Sequence, residues 1–240
     1  LAVGLGLILP LIPSVRRLLA SVMPIEPTAA VDMTGLCVLF SVLGFLITSY
    51  IINPNPADIS EAVTVTDLAV QFVAGIVLAF IAVGAGIKRN LREAAVRLGL
   101  TWPTPRVIGV GIGMVIVVLL ILMTAGVLTD IFQPNVSREI AKATEEITTN
   151  VKSPIGAILF GLGAGASEEL LVRGAIQPKF GLFVSALLFA LLHNQYGVSF
   201  VLLGVFLVGL ALGLERKYYG TTAAIITHAV FNTISVLIGS

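Results

Sequence analysis

Histidine occurs twice in the chain, at His193 and His228, and both copies fall in apolar stretches that also hold Glu168, Glu169, Arg173 and Asn232. Carboxylates and imidazoles are the side chains that exchange protons near neutral pH. A charge at the centre of a bilayer costs about 2.5–3.5 kcal/mol on insertion scales, so such groups in apolar segments mark a functional site by default. Their spacing sorts them. Glu169 and Arg173 stand four apart with the acid first, which favours an ion pair, either an anchor for the arginine or a part of the site itself. Glu168 lies about 100° around a helix from Glu169 and faces elsewhere. On its side are Gly161, Ala164 and Gly165, a small-residue stripe that reads as a helix-packing face or as a groove admitting a substrate chain. His228 and Asn232, also four apart, aim an imidazole and a carboxamide at one point, as a polar contact between helices or as a pair that binds an oxyanion. Phe189 and His193 repeat that spacing with an apolar wall in place of the amide.

Groups of this kind need a scaffold, and composition says which. A chain of 240 residues with 57% hydrophobic and 11% charged residues and a mean hydropathy of +1.05 lacks the polar surface of a soluble enzyme. A net charge of +1 with no concentrated basic surface gives no support for a nucleic-acid partner. One cysteine, Cys37, within an apolar run, excludes a disulfide framework and any CxxC metal or redox site. The chain opens on Leu1 rather than Met, as expected of one that begins inside a longer protein.

A spanning helix takes about 20 apolar residues. The stretches 33–52, 68–87 and 107–128 carry no Lys, Arg, Asp or Glu. The stretch 1–15 is short and broken by Pro10 and Pro13, as in a bent first span, and 154–174, 180–194, 198–214 and 221–238 follow with very short connections. The expected fold is all-α: a polytopic membrane protein of about eight transmembrane helices, with 1–240 as a single membrane domain. Outside the spans, Leu91, Ala95 and Leu98 stripe a short basic segment, 88–98, that ends at Gly99 and suits a helix at the membrane interface. The segment 137–148 suits a polar surface helix capped by Ser137.

Basic residues in short loops stay on the cytoplasmic side. With eight crossings, Arg16, Arg17, Lys88, Arg89, Arg92, Arg97, Arg106, Arg173, Lys179, Arg216 and Lys217, eleven of the fourteen Lys and Arg, fall on one side. Arg138, Lys142 and Lys152 fall on the other, in a loop that also carries Asp130, Glu139, Glu145 and Glu146. The loop with Asp58, Glu61 and Asp67 holds no base, and both termini are expected to face away from the cytoplasm.

Three local patterns now stand in order: Glu168-Glu169-Leu-Leu-Val-Arg173 as EExxxR, Phe189-Ala-Leu-Leu-His193 as FxxxH, and His228-Ala-Val-Phe-Asn232 as HxxxN. Together they resemble the CAAX protease and bacteriocin-processing (Abi-type) intramembrane protease family, on the side of the Ras-converting CAAX proteases. Leu98-Gly99-Leu100 followed by Pro103 also looks like the linker before that family's core, so the resemblance runs from about 88 to 240, with the motifs in 154–238. It implies a multi-pass membrane peptidase acting on a membrane-associated peptide or protein, its site reached from the cytoplasmic side or laterally from the bilayer. By the same resemblance Glu168 and His193 activate water, His228 and Asn232 stabilise the oxyanion, and Glu169 and Arg173 support them. No cofactor is expected.

Amide hydrolysis needs an activated water, an acid for the leaving amine and donors for the oxyanion, and these residues can supply all three. Glu168, His193 and His228 are also a zinc set, so a zinc-dependent protease is an alternative. A non-enzymatic transporter or scaffold is another, because polar residues at mid-membrane also mark proton relays. One mismatch stands. If the span 180–194 starts at one face, His193 is about 20 Å deep, while Glu168 is only about 9 Å from Gly174; tilt, a re-entrant start near 174–181 or displaced span boundaries would reconcile them.

Overall fold

The computed structural model describes residues 2–52 and 61–239. Asp58 and Leu1 lie outside them. Among the described residues the chain is helical, with no strand beyond an isolated bridge between Ala85 and Arg89. The order is α1 (Ala2–Ile8), α2 (Pro13–Val22), α3 (Ala30–Ile52), α4 (Val65–Ala82), α5 (Leu91–Arg97), α6 (Pro105–Phe132), α7 (Pro134–Thr148), α8 (Pro154–Glu169), α9 (Gln177–Phe180), α10 (Leu182–Leu192), α11 (Phe200–Tyr219) and α12 (Thr221–Ile238). A π-helical turn, Leu170–Ile176, joins α8 to α9. Large apolar side chains point outward all round, Phe45, Ile116 and Leu203 among them. In water that surface would be untenable, and in lipid it is the ordinary exterior, so the chain is an integral membrane protein.

Five helices are long and apolar enough to cross a bilayer, six if the first two, bent by 88° at the break before Pro13, form one span. The expected eight also include α10 and α11. The first has only 11 residues, about 16 Å, and the second carries Glu215, Arg216 and Lys217 in its last turns.

Contacts sort the connections onto two ends. At one end Lys179 Nζ meets Asp32 Oδ1 at 2.8 Å, Arg97 Nη1 donates to the Gly174 carbonyl at 3.4 Å, and Thr221 Oγ1 donates to the Leu98 carbonyl at 2.6 Å. At the other, Gln133 Nε2 donates to the Val198 carbonyl at 3.2 Å and the Val63 amide to the Ile147 carbonyl at 3.1 Å. The first end holds the basic loops.

Three details depart from expectation. The polar surface helix begins at Pro134, whose fixed φ suits a first turn, so Ser137 is inside it and its hydroxyl goes to Asp130 instead of capping. In the basic segment Ala94 and Leu98 face the protein, while Leu91 is 72% exposed. The third concerns Arg173. The apolar helix entered at Pro154 does not end at Gly174 but runs through the π-turn to Phe180, and the chain reverses at Gly181, whose φ of +87° suits glycine. Arg173 is therefore no loop base but a fully buried residue of the span, which leaves ten bases on the first end.

The same boundary removes the depth mismatch. Glu168 is twelve residues before Phe180 and His193 eleven after Leu182, about 18 and 16 Å along their helices.

Glycine contacts bring the helices close enough for their polar groups to meet. A Cβ on Gly165 would stand 2.8 Å from the Ala229 amide nitrogen, and one on Gly161 2.4 Å from the Ala229 carbonyl. The small-residue stripe is thus filled by α12, which makes it a packing face rather than a substrate groove. On another side of α8, a Cβ on Gly75 would stand 2.4 Å from Ser167 Cβ, so α4 is pressed against the residue preceding Glu168.

Candidate active site

Glu169 and Arg173 form the expected pair. Nε lies 3.1 Å from Oε2, at an angle short of hydrogen-bond geometry, and both side chains are 0% exposed. The two terminal nitrogens of Arg173 have no hydrogen-bond partner among the described residues, and its guanidinium carbon lies 4.5 Å from the centroid of the Phe189 ring. The π-turn starts immediately after Glu169, and wide turns of this kind recur at functional sites.

The other oxygen of Glu169 is taken by α12. His228 Nδ1 lies 3.0 Å from Oε1, a bond between separate helices that the helical spacing of His228 and Asn232 does not reveal. Close packing through Gly161 and Gly165 is what permits it. With Nδ1 donating to a carboxylate, the His228 ring offers an N–H at Nε2 only as an imidazolium, whose charge Glu169 would balance.

Glu168 faces away from this pair, as its position around the helix requires. Its Oε1 accepts from Gln71 Nε2 of α4 at 3.2 Å, and its Oε2 lies 3.9 Å from His193 Nε2. His193 ends α10, and its Nδ1 stands 2.8 Å from the Phe189 carbonyl. A carbonyl only accepts, so Nδ1 carries the proton and Nε2 of the neutral ring is a bare acceptor turned toward the carboxylate. Two acceptors at this separation can share one water, which donates a proton to each.

Phe189 holds the motifs together. Its ring is 4.6 Å from His193 and 5.7 Å from His228, the latter edge-on, in addition to its contact with Arg173. Phe189, His193, His228, Asn232 and Tyr196 line one cavity of about 40 Å³, enough for a water or two, since each needs about 10–15 Å³. Tyr196 stacks on His193 with rings 4° from parallel. Glu168 is outside the cavity lining and reaches it through His193. Among the described residues, no three His, Cys, Asp or Glu side chains form a group that could hold a metal ion.

Three residues near the site escaped the sequence reading. Gln71 carried a signal, as the one amide in the apolar stretch 68–87. Tyr196 carried none beyond following His193. The apolar stretch 198–214 stops just short of Glu215, yet that residue is 3% exposed and accepts from Thr227 Oγ1 at 2.8 and 2.9 Å.

No curated protein and no solved structure matches the chain. Residues 150–234, which contain all three motifs, match a family model described as type II CAAX prenyl endopeptidase Rce1-like, so this part of the chain is similar to that family.

Proposed function

We propose that the chain is an intramembrane endopeptidase in which Glu168 and His193 activate water while His228 and Asn232 bind the developing oxyanion. The observation that carries it is the facing pair of acceptors, Glu168 Oε2 and His193 Nε2, 3.9 Å apart beside a cavity that His228 and Asn232 also line. A water against both gives a proton to Glu168 as its oxygen attacks the peptide carbonyl. The negative charge that moves to the carbonyl oxygen meets the His228 ring and the Asn232 amide. The proton then passes, directly or through His193, to the amide nitrogen, the C–N bond breaks, and a carboxylate and an amine leave. Gln71 holds the carboxylate on the oxygen not used for the water, and Glu169 holds the His228 ring.

These roles need no metal. One observation favours acid–base chemistry over a zinc site: among the described residues no three His, Cys, Asp or Glu side chains come together as a set that could hold a metal ion. The family acts on membrane-associated prenylated proteins, so a lipid-anchored peptide, entering from the cytoplasmic end or laterally from the bilayer, is the proposed substrate class. Eight crossings, with the basic end in the cytoplasm, complete the proposal.

The test is cleavage of a lipid-anchored peptide by purified protein in detergent. Glu168→Gln, His193→Ala and His228→Ala should each lower the rate by about 10²–10⁴ while the protein stays monodisperse. Wild-type cleavage by Glu168→Gln would overturn the assignment.

A further inference from the structure

The basic end contains a group of arginines that the proposed chemistry does not use. Along 88–106 and 216–217, Lys88, Arg92, Arg106 and Lys217 are exposed, whereas Arg89, Arg97 and Arg216 are half-buried. Arg97 sits at the end of α5 with Nη1 on the Gly174 carbonyl, and Arg89 donates to the Val83 carbonyl. Arg216 Nε lies 3.7 Å from where a side chain on Gly99 would begin, and it is sealed from solvent without a hydrogen-bond partner among the described residues. Arg97 stands between the other two in its interactions, acting electrostatically with each. Burial and the charge of Arg89 hold the Arg97 guanidinium below its usual range, and Arg97 acts electrostatically on Arg216.

No carboxylate answers them. Among the described residues, none of the three guanidinium groups has an Asp or Glu within 4.0 Å. Acids of this end are otherwise engaged: Asp32 with Lys179, Glu26 with Thr28, and Glu93 with the Asn90 amide in the capping box that starts α5. Glu215, next to Arg216 in the chain, turns inward to Thr227. Three like charges half out of water are unfavourable unless an anion joins them, and guanidinium groups match the several acceptor oxygens of a phosphate. Ile87 and Trp102 flank the group, 82% and 84% exposed, as apolar and aromatic anchors at a membrane boundary would be. A phosphate bound there would have its acyl chains alongside.

We propose that Arg89, Arg97 and Arg216 bind the phosphate of an anionic phospholipid headgroup, a site separate from the motif residues. Basic pockets between helices at the cytoplasmic boundary favour such headgroups. Because Arg97 also holds Gly174, inside the π-turn, the lipid would tie the linker around α5 to the helix that carries Glu168.

The experiment uses the full chain in detergent, with lipid adducts counted by native mass spectrometry and thermal melting followed in parallel. Phosphatidylglycerol should be retained at least about tenfold more tightly than phosphatidylcholine and should raise the melting temperature. Arg97→Gln and Arg216→Gln should abolish the preference. Arg92→Gln and Lys217→Gln, which remove the same charge from exposed positions, should preserve it. Arg216→Gln carries the test should Arg97→Gln fail to fold, since no hydrogen bond of the Arg216 guanidinium is lost. Equal losses in all four variants would show diffuse attraction and overturn the site. Equal stabilisation by inorganic phosphate alone would overturn the lipid assignment in favour of a soluble anion.

Discussion

Replacing Arg173 by Met removes the charge and keeps much of the volume, so it isolates the buried ion pair. In the native protein Glu169 is fully buried, with Arg173 Nε 3.1 Å from one oxygen and His228 Nδ1 3.0 Å from the other. The variant leaves Glu169 in a dry setting with one partner of two. Removing one member of a buried pair costs about 3–5 kcal/mol, because an uncompensated charge is left behind. Loss of the guanidinium from the Phe189 face, 4.5 Å away, acts in the same direction and contributes up to about 2 kcal/mol, partly counted already. His228 remains as a partner, which sets the expectation near the low end, about 3 kcal/mol. The double variant Glu169→Gln with Arg173→Met has no orphaned charge and should recover most of the loss, giving a coupling of about 2 kcal/mol or more. The assay is reversible unfolding in mixed micelles, followed by far-ultraviolet circular dichroism. A single variant within about 0.5 kcal/mol of wild type, the range usual for surface substitutions, would refute the pairing as a structural element, as would a double variant whose loss is the sum of the singles.

Other expectations are independent of that pair. Gln71→Leu removes one hydrogen bond from Glu168, worth about 1 kcal/mol, and should lower kcat several-fold with little change in KM; an unchanged kcat would show that Gln71 does not position the carboxylate. Gly165→Val places a side chain where a Cβ already stands 2.8 Å from the Ala229 amide nitrogen, so melting temperature and cleavage should fall together, and a variant as stable as wild type would refute close α8–α12 packing. In intact cells, a cysteine in place of Lys142 should react with an impermeant thiol reagent and one in place of Lys88 should not, in a background without Cys37; labelling at both from outside would overturn the eight-crossing topology. Elemental analysis of active protein should find no stoichiometric zinc, whereas zinc whose removal abolishes activity and whose return restores it would recast Glu168, His193 and His228 as ligands.

Much of this protein is already dictated by its sequence, because hydropathy and helical spacing are local properties. The apolar stretches around α3, α4, α6 and α12 follow from the bilayer's demand for about 20 uncharged residues, and α12 begins and ends where its stretch does. The Glu169–Arg173 pair follows from four residues of one helix, and the three motifs are visible as strings. What tertiary structure alone decided is how separate helices meet. Nothing local shows that the stripe of Gly161 and Gly165 receives Ala229, which is what delivers His228 to Glu169. Nor could spacing along α8 name Gln71, whose amide comes to Glu168 from 97 positions away. The placement of Arg173 failed for a related reason: a buried arginine and a loop arginine look alike in a hydropathy profile, and only Glu169, Phe189 and the π-turn around it make burial tolerable. Once that helix runs on to Phe180, Glu168 and His193 come to the same depth, a relation between two helices that neither helix encodes alone.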